Sequence, residues 1–207
     1  MTRRATWVKV CGLTRRDDVA SAVEAGADAI GLVLAASSPR RVDPARAADL
    51  ADGVPVLCVV VTVDAEPEWL VETAAAVGAG GVQPHGDQAA ASAAAAAAAG
   101  LFVVRPVPVS ASGPSLPLDQ IPLDQTPLFD TRHDDLHGGS GDTFPWELVA
   151  NVERRFVLAG GLGPDNVVAA VQATGAWGVD ASSGLESAPG RKNRSRVADF
   201  VRKAKQA

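Results

Sequence analysis

Four short stretches end apolar runs and carry side chains that could do chemistry: Lys9-Val10-Cys11-Gly12, Phe129-Asp130, Ala159-Gly160-Gly161 and Asp180-Ala181-Ser182-Ser183-Gly184. A fifth, Gly138-Gly139-Ser140-Gly141, lies just ahead of an apolar segment that starts near Phe144. Glycine lets backbone N–H groups approach an oxyanion closely, and a following helix N-terminus adds a favourable dipole. A Gly-Gly pair after a strand is by itself more often a plain turn. Three such clusters converging on one corner, at Gly139, Ser140 and Gly141, at Gly160 and Gly161, and at Ser182, Ser183 and Gly184, make a phosphate cradle the better reading. Lys9 and Cys11, two residues apart, fall on one face of a strand.

The elements that must position these residues form a regular series. Short apolar runs rich in β-branched residues recur at Trp7 to Cys11, Ala29 to Leu34, Val56 to Val61, Gly81 to Gln83, Leu101 to Arg105, Pro127 to Asp130, Arg155 to Ala159 and Trp177 to Ala181. Their spacing, roughly 20 to 30 residues, is what one βα unit consumes. Between them, helices are expected at Arg16 to Ala25, Pro44 to Ala51, Glu66 to Val77, Asp87 to Ala99, Phe144 to Asn151, Pro164 to Thr174 and Ser195 to Lys205. Thr14, Asp43 and the Gly163-Pro164 pair mark starts, and Gly26, Gly78, Gly100 and Gly175 mark ends. The alanine tract Ala89 to Ala99 reads as a surface helix with nothing to do chemistry with.

Near-continuous apolar strands alternating with helices predict a parallel sheet covered on both faces, and eight units predict its closure into a (β/α)8 TIM barrel spanning residues 1–207 as one catalytic domain. The competing open, doubly wound sheet would usually bring a GxGxxG loop after the first strand, which the sequence after Cys11 lacks. One interval breaks the pattern. Pro106 to Pro127 is rich in Pro, Ser and Asp, so the fifth helix is expected to be replaced by a loop. In such a barrel the carboxyl ends of the strands carry the chemistry, which puts the strand-end residues at one mouth.

Charged residues make up 21% of the chain and the net charge is −5, so no broad basic field exists to hold nucleic acid or an anionic membrane. A small soluble substrate is the expectation. There is no apolar stretch of signal-peptide length after Met1 and no run that would span a bilayer. Cys11 and Cys58 lack CxxC or His/Cys spacing, which argues against zinc or redox work and for reduced thiols in the cytoplasm. No metal and no cofactor is expected. Oligomeric state, monomer or homodimer, leaves no periodic trace.

Seven ordered motifs carry a resemblance: KVCGLT at Lys9 to Thr14, SPR at Ser38 to Arg40, VQPHG at Val82 to Gly86, LFD at Leu128 to Asp130, GGSGDTFPW at Gly138 to Trp146, LAGGLGPDNV at Leu158 to Val167 and GVDASSGLE at Gly178 to Glu186. Together they resemble the phosphoribosylanthranilate isomerase family nearly end to end, and the family is similar in lacking a regular fifth helix. The resemblance implies an Amadori rearrangement in tryptophan biosynthesis, from N-(5-phosphoribosyl)anthranilate to the 1-deoxyribulose 5-phosphate. It places Asp130 as general acid on the ribose ring oxygen and Cys11 as general base at C2′. A thiol of ordinary pKa about 8.5 needs a nearby cation to become a base at neutral pH, which Lys9 could supply; Asp130 needs desolvation to stay protonated. Arg40 is expected to pair bidentately with the anthranilate carboxylate. His85 is expected to face the sugar, and Asp180 to order the site.

The plainer readings are a buried packing thiol for Cys11, a surface carboxylate for Asp130, an ordinary loop histidine for His85 and a solvated charge for Arg41. Cys58 receives the packing reading outright, and His133 and His137 receive no role. Leu34, Pro84, Pro145 and Asn193 depart from the usual family pattern, and the first two could reshape the aromatic end. Two alternatives stand beside the main reading: the related isomerase of the phosphoribosyl aminoimidazole intermediate of histidine synthesis, or an enzyme serving both pathways; and a barrel that binds without catalysis. The first typically pairs two aspartates, against which Cys11 argues.

Overall fold

Strand alternation is the device that builds the molecule. In β1 (Trp7–Cys11) Val8 and Val10 turn outward into a fully buried layer against the helices, while Lys9 and Cys11 turn inward. The computed structural model describes residues 5–131 and 143–207, so Gly139, Ser140, Gly141, His133 and His137 lie outside the described residues. Seven further strands follow: β2 (Ala29–Val33), β3 (Leu57–Val63), β4 (Gly81–His85), β5 (Phe102–Ser110), β6 (Gln125–Thr131), β7 (Val157–Leu158) and β8 (Gly178–Ala181). Each pairs in parallel with the next, and β8 pairs back onto β1 with Lys9 opposite Asp180. The sheet is therefore a closed eight-stranded barrel, and no open sheet edge competes with that assignment.

The outer ring holds α1 (Arg16–Glu24), α2 (Pro44–Ala51), α3 (Pro67–Val77), α4 (Ala89–Ala98), α5 (Val167–Thr174) and α6 (Arg194–Gln206). Asp43 caps α2, its side chain accepting from Arg46 N at 2.7 Å. Thr14 does not cap α1: Arg15 takes that place, and the Thr14 hydroxyl donates to Gly190 O at 2.7 Å instead. The alanine tract forms α4 as expected.

Three boundaries differ from expectation for identifiable reasons. The segment Phe144 to Asn151 makes only one 3-10 turn, Trp146–Val149, behind Pro145. The helix expected from Pro164 begins at Val167, because the Asn166 side chain accepts from Gly163 N and donates to Gly161 O, both at 2.9 Å, and so ties the preceding residues into a turn. Strand β5 runs on through Pro106 and Pro108. Phe102 N bonds Gly80 O, so even-numbered residues of β5 face β4, and pairing with β4 ends at Val103; the N–H groups those prolines lack would have met no partner.

No α-helix follows β5. The Pro-rich interval forms a short antiparallel arm at Gly113–Pro114 and a 3-10 turn at Leu118–Gln120. Arg154 replaces the missing regular hydrogen bonding, donating to the carbonyls of Leu118, Ile121, Pro122 and Gln125 at 2.8 to 3.2 Å. Inside the barrel, Val104, Leu128, Val157 and Ala159 pack with Trp7, Phe102 and Trp177 to plug the amino-terminal end. A smaller apolar group, Cys11, Val33 and Val61 with Ala35, lies at the carboxyl end.

Candidate functional site

The carboxyl ends of the strands surround a cavity of about 320 Å³. Cys11, Arg40, His85, Asp130 and Asp180 border it, and Gly160, Gly161, Ser182 and Ser183 line one part of its wall. Cys11 and Asp130 thus share one chamber although 119 positions separate them in sequence.

Close approach at two glycines fixes the Cys11 and Asp130 side chains. A Cβ on Gly31 would stand 2.6 Å from the Cys11 sulfur, so β2 can lie against the thiol only with glycine there. Gly160 adopts φ +85°, followed by Gly161 at +61°, and a Cβ on Gly160 would stand 2.9 Å from Asp130 Oδ1. The turn after β7 therefore doubles as the backing of Asp130.

Lys9 is fully buried, with Nζ 2.8 Å from Asp180 Oδ2, and it lies under the cavity rather than bordering it. Burial pushes its ammonium down, but Asp180 and Cys11 together outweigh burial and hold its pKa above the ordinary value. For Cys11 the balance goes the other way. Burial beside Val33 and Val61 pushes the thiol up, Lys9 pulls it down, Asp180 pushes it up again, and the net shift is upward. Lys9 therefore favours the thiolate, as expected, but desolvation outweighs it and the thiol stays above its ordinary value. His85 is pushed down to about 4, by burial first and then by the positive charges of Lys9 and Arg105, so it is neutral at pH 7. Asp130 is half-buried at the mouth.

Arg40 holds a carboxylate already. Its Nε and Nη2 donate to the two oxygens of Glu186 at 2.7 and 2.8 Å. Lys192, whose side chain is 1% exposed, joins them by donating to Glu186 Oε1 and Ser182 O, both at 3.0 Å. Burial pushes the Glu186 carboxyl up, but Arg40 and Lys192 overcome it and hold it below the usual carboxylate range. Gly12 makes room for this arrangement, since a Cβ there would stand 2.5 Å from Arg40 Cδ.

The model of the N-(5'phosphoribosyl)anthranilate (PRA) isomerase family matches residues 8–203. The N-(5'-phosphoribosyl)anthranilate isomerase of Rubrobacter xylanophilus is 39% identical over 202 residues, covering 96% of this chain and 98% of that protein. This chain belongs to the N-(5'-phosphoribosyl)anthranilate isomerase family. Among solved structures, the phosphoribosyl anthranilate isomerase of Thermotoga maritima superposes with a TM-score of 0.84 at 33% identity, covering 98% of this chain and all of that one. A second phosphoribosyl anthranilate isomerase, at TM-score 0.81 and 30% identity over 98% of this chain and all of that one, is a complex with reduced 1-(o-carboxyphenylamino)-1-deoxyribulose 5-phosphate.

Within this isomerase-family barrel, most of the described residues singled out from sequence meet at the cavity, but two of them do not border it. Lys9 sits beneath it, and Gly184 lies behind its wall: its Cα is so close to Leu162 O that a Cβ would collide, and its carbonyl accepts from Arg196 Nε at 2.8 Å. Three polar residues escaped sequence reasoning. Gln83, 3% exposed, lines the cavity below His85, while Glu186 and Lys192 lie on a small antiparallel hairpin, Glu186–Ala188 with Arg191–Lys192. The VQPHG and GVDASSGLE motifs contain Gln83 and Glu186, and strand alternation from His85 could have exposed the first.

Proposed function

We propose that the chain converts N-(5-phosphoribosyl)anthranilate to 1-(2-carboxyphenylamino)-1-deoxyribulose 5-phosphate, working as one catalytic domain on a small phosphoribosyl substrate in the cytoplasm, as a monomer or homodimer. The observation that carries this reading is the shared chamber: a thiol and a carboxyl group border one cavity beside a glycine- and serine-lined wall. Asp130 gives a proton to the ribose ring oxygen, the C1′–O bond breaks and an iminium forms. The Cys11 thiolate then takes the proton from C2′, and the resulting enolamine tautomerises to the ketone. Substrate and product are isomers, so no net proton or electron is consumed.

The backbone at Gly160 and Gly161, with Ser182 and Ser183, receives the phosphate, together with the Gly139-Ser140-Gly141 stretch. Gly184 supports that wall from behind. Arg40, with Nε and Nη2 on Glu186, turns its remaining Nη1 edge to the anthranilate carboxylate. Asp180 and Lys9 order the floor beneath Cys11, and His85 faces the sugar as a neutral imidazole.

The deciding assay follows the loss of phosphoribosylanthranilate fluorescence with purified protein. Turnover of that substrate is expected. Turnover of the phosphoribosyl aminoimidazole intermediate with none of the anthranilate substrate would move the chain to the histidine-pathway reaction.

A further inference from the structure

One buried amide beside the reacting centre has half of its hydrogen bonding unmet. Gln83 and His85 lie two residues apart on β4, so both side chains enter the barrel. Gln83 Nε2 is 3.0 Å from His85 Nε2, and Gln83 Oε1, buried against the cavity, has no partner among the described residues. An amide NH2 can only donate, so His85 Nε2 must accept. The imidazole is neutral, and its single proton then sits on Nδ1. A buried acceptor left without a donor costs free energy, and a site bears that cost where a ligand supplies the donor.

We infer that Gln83 is a positioning and specificity residue that locks His85 with its proton on Nδ1 and presents its own carboxamide oxygen to a hydroxyl of the substrate sugar. The pair then offers one acceptor, Gln83 Oε1, and one donor, His85 Nδ1–H, which matches the chemistry of neighbouring sugar hydroxyls. The lock also withholds a competing base. An imidazole with a free Nε2 lone pair near C2′ could take protons indiscriminately, whereas here that lone pair is engaged and proton transfer is left to Cys11 and Asp130.

The sugar contact rests on the isomerase reading given above; the histidine lock does not. The test is a long-range ¹⁵N–¹H spectrum of the full chain without ligand at neutral pH, which is tractable because the sequence has three histidines. The His85 signals are assigned by their loss in His85→Asn. The expected result is a pyridine-like Nε2 and a protonated Nδ1 in the wild type, changing to mainly Nε2–H in Gln83→Leu. Gln83→Glu, whose carboxylate can only accept, should also give Nε2–H while keeping an acceptor for the sugar. In the fluorescence assay KM should rise about tenfold or more in Gln83→Leu, the effect of leaving one substrate donor unpaired, and less in Gln83→Glu. A wild-type His85 protonated on Nε2, or one unchanged by Gln83→Leu, would overturn the lock. A KM unaffected by Gln83→Leu would overturn the sugar contact. Absence of any anthranilate turnover in the wild type would defeat the isomerase reading and the sugar contact with it, while the spectrum still decides the lock.

Discussion

At the residue scale, the proposed mechanism makes the protonation of one thiol set the pH dependence of the reaction. In that mechanism the base is the Cys11 thiolate, and burial holds the Cys11 pKa above its ordinary value. At a pH below that value only a small fraction is thiolate, so kcat/KM should climb with pH and level off only above the ordinary thiol range. Asp180 contributes twice, by repelling the thiolate and by neutralising Lys9. Asp180→Asn should therefore shift the alkaline limb to lower pH even as turnover falls, which a pH–rate profile will show; a limb that stays in place would separate Asp180 from the thiol. No limb near pH 6.5 should arise from His85, which stays neutral down to about 4. Cys11 and Asp130 were legible in the sequence because each ends an apolar run. Gln83 was hidden as a lone amide, which leaves no pattern of its own inside a short strand; only its two-residue spacing from His85 pointed to the barrel interior. The partner of Arg40 was equally hidden, for Glu186 comes from 146 positions away on a hairpin too short to show a period.

At the scale of elements, the strands and most helices followed from apolar spacing, because a closed parallel barrel buries its strands on both faces and so writes them as continuous apolar runs. The irregular connection after β5 was legible only as an absence of helix. What holds it, a single guanidinium donating to four carbonyls, could not be read, because Arg154 lies some thirty residues away and resembles any surface arginine. Arg154→Ala should leave these carbonyls to water or unpaired and cost on the order of 3 kcal/mol. Thermal unfolding will register the loss, and faster amide exchange confined to the stretch from Leu118 to Gln125 will locate it. The shift of α5 to Val167 has a similar origin, in side-chain bonds from Asn166 that compete with the first helical turn.

At the scale of the whole molecule, the barrel divides its labour between its two ends. The amino-terminal plug stacks Trp7 on Trp177 with ring centroids 5.2 Å apart, and Arg155 lies over Trp177 at 3.9 Å. It shares no residue with the cavity wall apart from Ala159. Trp7→Ala should cost about 3 kcal/mol, a fall in Tm of about 6 to 12 °C in a chain of this size, with KM unchanged. A KM that rises with the loss of stability would show the two ends to be coupled. No helix among the described residues is long and apolar enough to cross a membrane. The central claim is that the thiol and the carboxyl bordering one mouth carry the two proton transfers. It is tested most directly by the rate of phosphoribosylanthranilate consumption in Cys11→Ala, Asp130→Ala and the double variant. Each single change should slow turnover by about 10² to 10⁴ with little change in KM, and the double variant should retain no more activity than the weaker single. Turnover at the wild-type rate in the double variant would contradict the account.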